Sequence, residues 1–118
     1  MKKITIAFDV DGTLIKNEDY WVCNYIPNKR ICHLLEILAW FKNVDIIVWS
    51  GGGKEHAEKA VKMCNLEKFV PKNKCFSKNY IWKENWKAKF NPPFKVDIAI
   101  DDIHSCDLGM LNLIVREK

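Results

Sequence analysis

The stretch Ile4-Thr5-Ile6-Ala7-Phe8-Asp9-Val10-Asp11-Gly12-Thr13-Leu14 constrains this chain more than any other. It is a nearly uninterrupted apolar, β-favouring run that ends in a carboxylate. Such a run fits a strand buried on both faces, as in a parallel sheet covered by helices. Open α/β sheets bind ligands at the carboxyl ends of their strands, which is where this strand delivers Asp9 and Asp11. Two unpaired carboxylates at the tip of a buried strand are costly to desolvate. A bound cation resolves that repulsion, so the pair reads as a metal and catalytic site rather than a solvated turn.

The rest of the chain alternates helical and strand patterns. Residues 12 to 27 mix turn residues with Tyr20, Trp21 and Tyr25 and read as a loop or short hairpin over the mouth of the sheet. Asn28 is a candidate N-cap for a helix to about Lys42, with Ile31, Leu34, Leu35, Leu38 and Phe41 at helical spacing and His33 beside that stripe. Val44 to Trp49 is a second buried-strand pattern. A helix over Lys54 to Cys64 follows, with Asn65 at its end. Phe69-Val70 and Lys74 to Ser77 are the candidates for a third strand. Residues 79 to 91 are readable as a helix up to Pro92-Pro93, Val96 to Ile100 as a fourth strand and Leu111 to Val115 as a fifth. Strands alternating with helices predict a Rossmann-like, three-layer α/β sandwich with a mainly parallel five-stranded sheet.

Size bounds what else the chain holds. At 118 residues it is expected to be one domain with a real core and no room for a second module. No apolar run is long enough to span a membrane, and no signal segment follows Lys2 and Lys3, so a cytoplasmic protein without membrane partners is expected. Cys23, Cys32, Cys64, Cys75 and Cys106 are odd in number and form no CxxC pair. Reduced thiols fit better than a zinc knuckle or a disulfide framework.

Two further strand ends carry suitable chemistry. Ser50-Gly51-Gly52-Gly53 follows the second strand and opens a helix. Glycines there let backbone N–H groups approach an anion, and a helix N-terminus adds positive potential. Standing alone, the same residues describe a flexible turn. Asp101-Asp102 ends the Ile98-Ala99-Ile100 strand. Hard Mg²⁺ prefers oxygen ligands, although an acidic helix N-cap would look the same.

Asp-Val-Asp-Gly-Thr-Leu resembles the first motif of the haloacid dehalogenase superfamily, in the DxDGT form of its phosphatases. Ser50 and Asp101-Asp102 match its second and fourth motifs in order and spacing. The resemblance covers nearly the whole chain. It implies that Asp9 is the nucleophile of a phosphatase with an aspartyl-phosphate intermediate and that Asp11 is the general acid/base. It also implies substrate phosphate binding at Ser50 and Gly51. Mg²⁺ would be held by Asp9, the Asp11 backbone carbonyl and Asp101, with Asp102 either behind these ligands or as an alternate one; Asp107 could be a further outer carboxylate but reads mostly as surface. For the first step Asp11 must carry a proton. The order of the motifs speaks against a receiver domain, and the second acid against a halide-releasing enzyme.

The family also needs a lysine against the aspartate and phosphate. Lys95 begins the fourth strand, about 20 Å from the site at the wrong end of the sheet. Lys78 follows the third strand at its carboxyl end and is the better candidate, ahead of Lys83 and Lys74.

Neither the stretch from Asp11 to Ser50 nor that from Lys78 to Asp101 can house a cap domain, so the chain resembles the capless branch, whose members often act on macromolecules or close their site by oligomerising. The expected substrate is a phosphorylated small molecule or a phosphorylated nucleic-acid end, and a homo-oligomer is possible. Residues 72 to 95 bear on the choice, with seven lysines against one acid, Glu84, and Phe76, Tyr80, Trp82, Trp86, Phe90 and Phe94 interleaved. That pattern describes a groove for single-stranded nucleic acid, although an amphipathic helix with its aromatics inward is the commoner origin of such a pattern. The best expectation is a Mg²⁺-dependent phosphomonoesterase. A polynucleotide-end phosphatase or nucleotidase is the alternative, and a low-turnover metal-binding regulatory protein the third.

Overall fold

The computed structural model describes residues 2–16, 23–78, 95–102 and 109–116, and the backbone of 80–82 and 88–90. Elements follow one another as β1 (Ile4–Asp9), α1 (Lys29–Ala39), β2 (Val44–Ser50), α2 (Lys54–Met63), β3 (Cys75–Ser77), β4 (Tyr80–Trp82), β5 (Ala88–Phe90), β6 (Ile98–Asp101) and β7 (Leu111–Ile114). Five of the strands form one parallel sheet in the order β3-β2-β1-β6-β7, and β4 and β5 pair as a separate antiparallel ribbon. This is a Rossmann-like α/β sandwich, as the alternating pattern predicts.

Alternation within the strands divides the core. Ile6, Phe8, Val10, Ile46 and Val48 pack with Cys32 and Leu35 of α1 and Ala57, Ala60 and Val61 of α2. Ala7, Ile47, Trp49, Val96 and Ala99 form a smaller cluster with Phe76. Both described helices therefore cover the same face. The strand order reverses its direction across the sheet between β3 and β6.

Local chemistry sets the helix ends. Asn28 sits at the N-cap of α1, as expected, but its side chain makes no capping bond. α1 stops at Ala39 rather than near Lys42. Trp40 and Phe41 donate to Ile37 and Leu38, i to i−3 bonds that tighten and close the last turn. Phe41 consequently leaves the apolar stripe and is 55% exposed. α2 ends in a Schellman arrangement, with Leu66 N–H on Val61 O, Asn65 N–H on Lys62 O, and Asn65 at φ 57°.

Two expectations need correction. The third strand is Cys75–Ser77 alone, and Phe69 and Val70 lie in the turns after α2. The predicted helix over 79 to 91 is replaced by the β4–β5 ribbon, with Tyr80 opposite Phe90 and Trp82 opposite Ala88. Cross-strand pairing of 80–82 with 88–90 overrides a local helical spacing there.

The loop after β1 is pinned at its neck. Ile15 bridges to both Asp11 and Pro27, and Lys16 N–H donates to Ile26 O. The Leu14 carbonyl accepts from Asn28 N–H and from the buried thiols of Cys32 and Cys64. Those thiols are free, as are Cys23 and Cys75. Cys106 and residues 17–22 of the loop lie outside the described residues. No helix among the described residues is long and apolar enough to cross a membrane.

Candidate active site

Strand register assembles the site. β1 pairs with β6 through Phe8 and Ile100, so one residue further sets Asp9 beside Asp101. On the other flank β2 pairs with β3 through Ser50 and Ser77, and Lys78 N–H donates to Ser50 O. Lys78 thus leaves β3 at the carboxyl end of the sheet, as expected. β1 and β6 lie on either side of the point where the sheet order reverses, the crevice in which such sheets bind ligands.

Lys78 Nζ donates to Asp9 Oδ1 at 2.6 Å and to Asp101 Oδ2 at 2.8 Å. All three residues are buried, at 6%, 6% and 7% exposure for Lys78, Asp9 and Asp101. Thr13 Oγ1 donates to the other Asp9 oxygen at 3.3 Å. Trp49 lies beneath the ammonium, its ring centre 5.9 Å from Nζ. Burial pushes the Asp9 carboxyl up to about 7; Lys78 opposes this, while Asp101 and Asp102 add to it. Burial also raises Asp102, reinforced by its hydrogen bond with Asp101. For Lys78 burial disfavours the charge, but the carboxylates outweigh it and hold the ammonium above the usual lysine range.

The other lysines fall elsewhere. Lys74 pairs with Asp45 at 3.0 Å, and Lys95 reaches only Asp97, at 3.9 Å. Asp97 is bonded to Thr5 at the start of β1, so Lys95 is at the far end of the sheet. Lys83 and Asp107 lie outside the described residues.

Oxygens of Asp9, Asp101 and Asp102 all come within 4.8 Å of one another. Three carboxyl groups around a single ammonium leave a surplus of acid, expressed in the raised Asp9 and Asp102. A hard, oxygen-only donor set of this kind fits Mg²⁺. The Asp11 side chain stands apart from it, so a metal role for Asp11 would fall to its backbone carbonyl, as the resemblance implies.

Asp11 instead faces His56. The His56 Nε2 lies 3.1 Å from each Asp11 carboxylate oxygen, and Tyr25 Oη lies 2.8 Å from His56 Nδ1. Sequence reasoning missed Thr13, Tyr25 and His56. The available signal for His56 was its place in the first turn of the helix that the glycine run opens.

The Ser50 turn is built tightly. Ser50 is buried and its Oγ accepts from Gly52 N–H at 2.9 Å. A Cβ on Gly52 would stand 3.0 Å from His56 Cδ2 and 3.3 Å from Ser50 Oγ. Gly53, at φ 106°, holds a backbone conformation that suits glycine, and Gly51 is exposed beside it. Phosphate recognition by Ser50 and Gly51 is compatible with this turn, whose backbone lies at the N-terminus of α2. No protein-family model and no curated protein matches this chain.

Proposed function

We propose that this chain is a Mg²⁺-dependent phosphomonoesterase of the haloacid dehalogenase type, working through Asp9. One observation carries the reading: a buried lysine bridges two carboxylates from the ends of β1 and β6, beside a serine turn at the end of β2. A purely structural role for this arrangement is uneconomical, because buried ion pairs add little to stability.

In this reading Asp9 attacks phosphorus in line, its P–O bond forming as the ester P–O bond breaks. Lys78 holds the Asp9 carboxylate in place and balances charge on the phosphoryl oxygens. Ser50 and the amides of the glycine turn bind those oxygens. Asp11 gives its proton to the departing alcohol, then takes one from the water that cleaves the aspartyl-phosphate. Asp9, Asp101 and Asp102 would hold Mg²⁺, which when bound would supply the charge neutralisation an anionic nucleophile needs to approach an anionic ester.

The test is hydrolysis of a panel of sugar phosphates, nucleotides and end-phosphorylated oligonucleotides, with and without Mg²⁺, with Asp9→Asn as control. Mg²⁺-dependent turnover lost in the variant supports the proposal. Silence across the panel with Mg²⁺ bound favours a binding or regulatory protein.

A nucleic-acid end is the second reading for the substrate, and a specific surface favours it. A cleft of about 570 Å³ is lined, among the described residues, by Lys16, Lys29, Arg30 and Arg116 with Ile26, Pro27 and Asn28. It lies at the carboxyl-end side of the sheet, since Lys16 follows the turn after β1 and Val115 N–H bonds Asp101 O. Cations around an uncapped helix N-terminus attract polyanions. The basic-aromatic stretch of 72 to 95 adds less, because most of its aromatic side chains lie outside the described residues. Oligonucleotide binding that weakens steeply with salt would support this substrate; none at low salt would remove it.

A further inference from the structure

Resting on the phosphatase reading, we infer that His56, itself oriented by Tyr25, is the positioning residue that holds the Asp11 carboxyl group toward the leaving group. The two groups come from distant parts of the chain. Asp11 lies in the turn after β1, whereas His56 sits in the first turn of α2. The Asp11 side chain is 50% exposed at the mouth of the site and that of His56 only 18%.

A group that hands a proton to a departing alcohol must face it in one orientation. His56 Nε2 lies 3.1 Å from each Asp11 oxygen, so a single N–H there can hold the carboxyl group by either one. With Nε2–H donating to one Asp11 oxygen, Nδ1 accepts from the Tyr25 hydroxyl and the other Asp11 oxygen is left to face the leaving group. A lysine or arginine in that place would put a full positive charge beside the acid.

Three features hold the imidazole there. The Tyr25 hydroxyl fixes Nδ1 at 2.8 Å, and the two rings lie 5.3 Å apart between centres. Tyr25 itself occupies the left-handed region at φ 53°, a conformation that costs free energy for a large side chain. Lys59 Nζ sits over the Tyr25 ring, 4.8 Å from its centre. On the opposite flank Gly52 leaves no room for a side chain against the imidazole. Its N–H is the donor to Ser50 Oγ, so the same turn serves the phosphate-binding serine and the histidine.

The leaving group separates this role from a merely structural one. Loss of an alkyl alcohol needs the proton of Asp11, whereas p-nitrophenolate departs without it. The experiment measures kcat/KM, which reports steps up to departure of the alcohol, for an alkyl phosphate and p-nitrophenyl phosphate. It compares wild type, His56→Ala, His56→Gln, His56→Lys and Tyr25→Phe, all with Mg²⁺. In His56→Ala the loss on the alkyl ester should exceed that on the aryl ester by about 10²-fold, the scale of general-acid catalysis. His56→Gln, able to donate and accept, should recover part of it, and His56→Lys none. Tyr25→Phe should show the same asymmetry, smaller. Equal losses on both esters would overturn the inference while leaving the phosphatase reading intact. A wild type inactive on both esters would overturn that reading, and this inference with it.

Discussion

Two carboxylates only two residues apart on one turn live in opposite surroundings. Asp9 is buried, paired with Lys78 and Thr13, and crowded by Asp101 and Asp102. Asp11 is half exposed and meets a neutral-capable histidine. The difference follows from the strand end: Asp9 is the last residue of β1 and points into the sheet crevice, whereas Asp11 belongs to the turn above it. Burial makes the first group sensitive to any change in charge nearby. Exposure leaves the second adaptable, since a surface pair contributes only about 0–1 kcal/mol.

Variants at the buried group should have the largest effects. Asp9→Asn should lower turnover by on the order of 10⁵-fold while the chain still folds, as circular dichroism would check. A variant that stays active would erase the distinction between the two acids. Lys78→Met leaves two buried carboxyls without their cation and should cost about 3–5 kcal/mol in denaturant melts near pH 8. Near pH 5 the carboxyls can take up protons, so the cost should shrink. Equal costs at the two pH values would show that the cluster is wetter than its burial implies.

Metal-free protein should also show a pH slope of its own. The folded Asp9 carboxyl is raised from 3.8 to about 7, so the folded state binds the extra proton in that window. Its contribution to stability is complete below about pH 4 and is lost as pH rises through about 7. Asp9→Asn should flatten this slope, and Mg²⁺ should reduce it by favouring the carboxylate. A slope unchanged in Asp9→Asn would place the titration elsewhere.

At the exposed group the expected stability effects are small. Asp11→Ala should change unfolding free energy by less than about 1 kcal/mol, however large its effect on alkyl ester turnover. Gly52→Ala should act mainly by nudging the His56 ring, which must give a few tenths of an ångström. A loss of fold in either would mean that the turn is part of the core.

The buried group was also the more legible of the two in the sequence. Strands β1, β2 and β6 announce themselves as apolar runs, and each ends at a residue of the candidate site. The resemblance called for a lysine, and geometry pointed to Lys78, since a strand fixes which of its ends faces the site. The Asp11–His56 contact spans 45 positions in the chain and joins a turn to a helix, a pairing that no local period encodes. The ribbon β4–β5 was misread for a similar reason. Trp82, Trp86 and Phe90 have helical spacing, and strands three residues long carry almost no pattern of their own. Phe41 fits the stripe of α1 by spacing, but the helix closes before reaching it.

The central claim is that phosphate passes through the Asp9 side chain. The most direct test quenches the protein during turnover with Mg²⁺ and a phosphate ester, reduces it with borohydride, and maps peptides by mass spectrometry. The account predicts homoserine at position 9, the reduction product of an aspartyl-phosphate, absent without Mg²⁺ and in Asp9→Asn. Rapid ester hydrolysis with Asp9 unmodified at every quench time would contradict it.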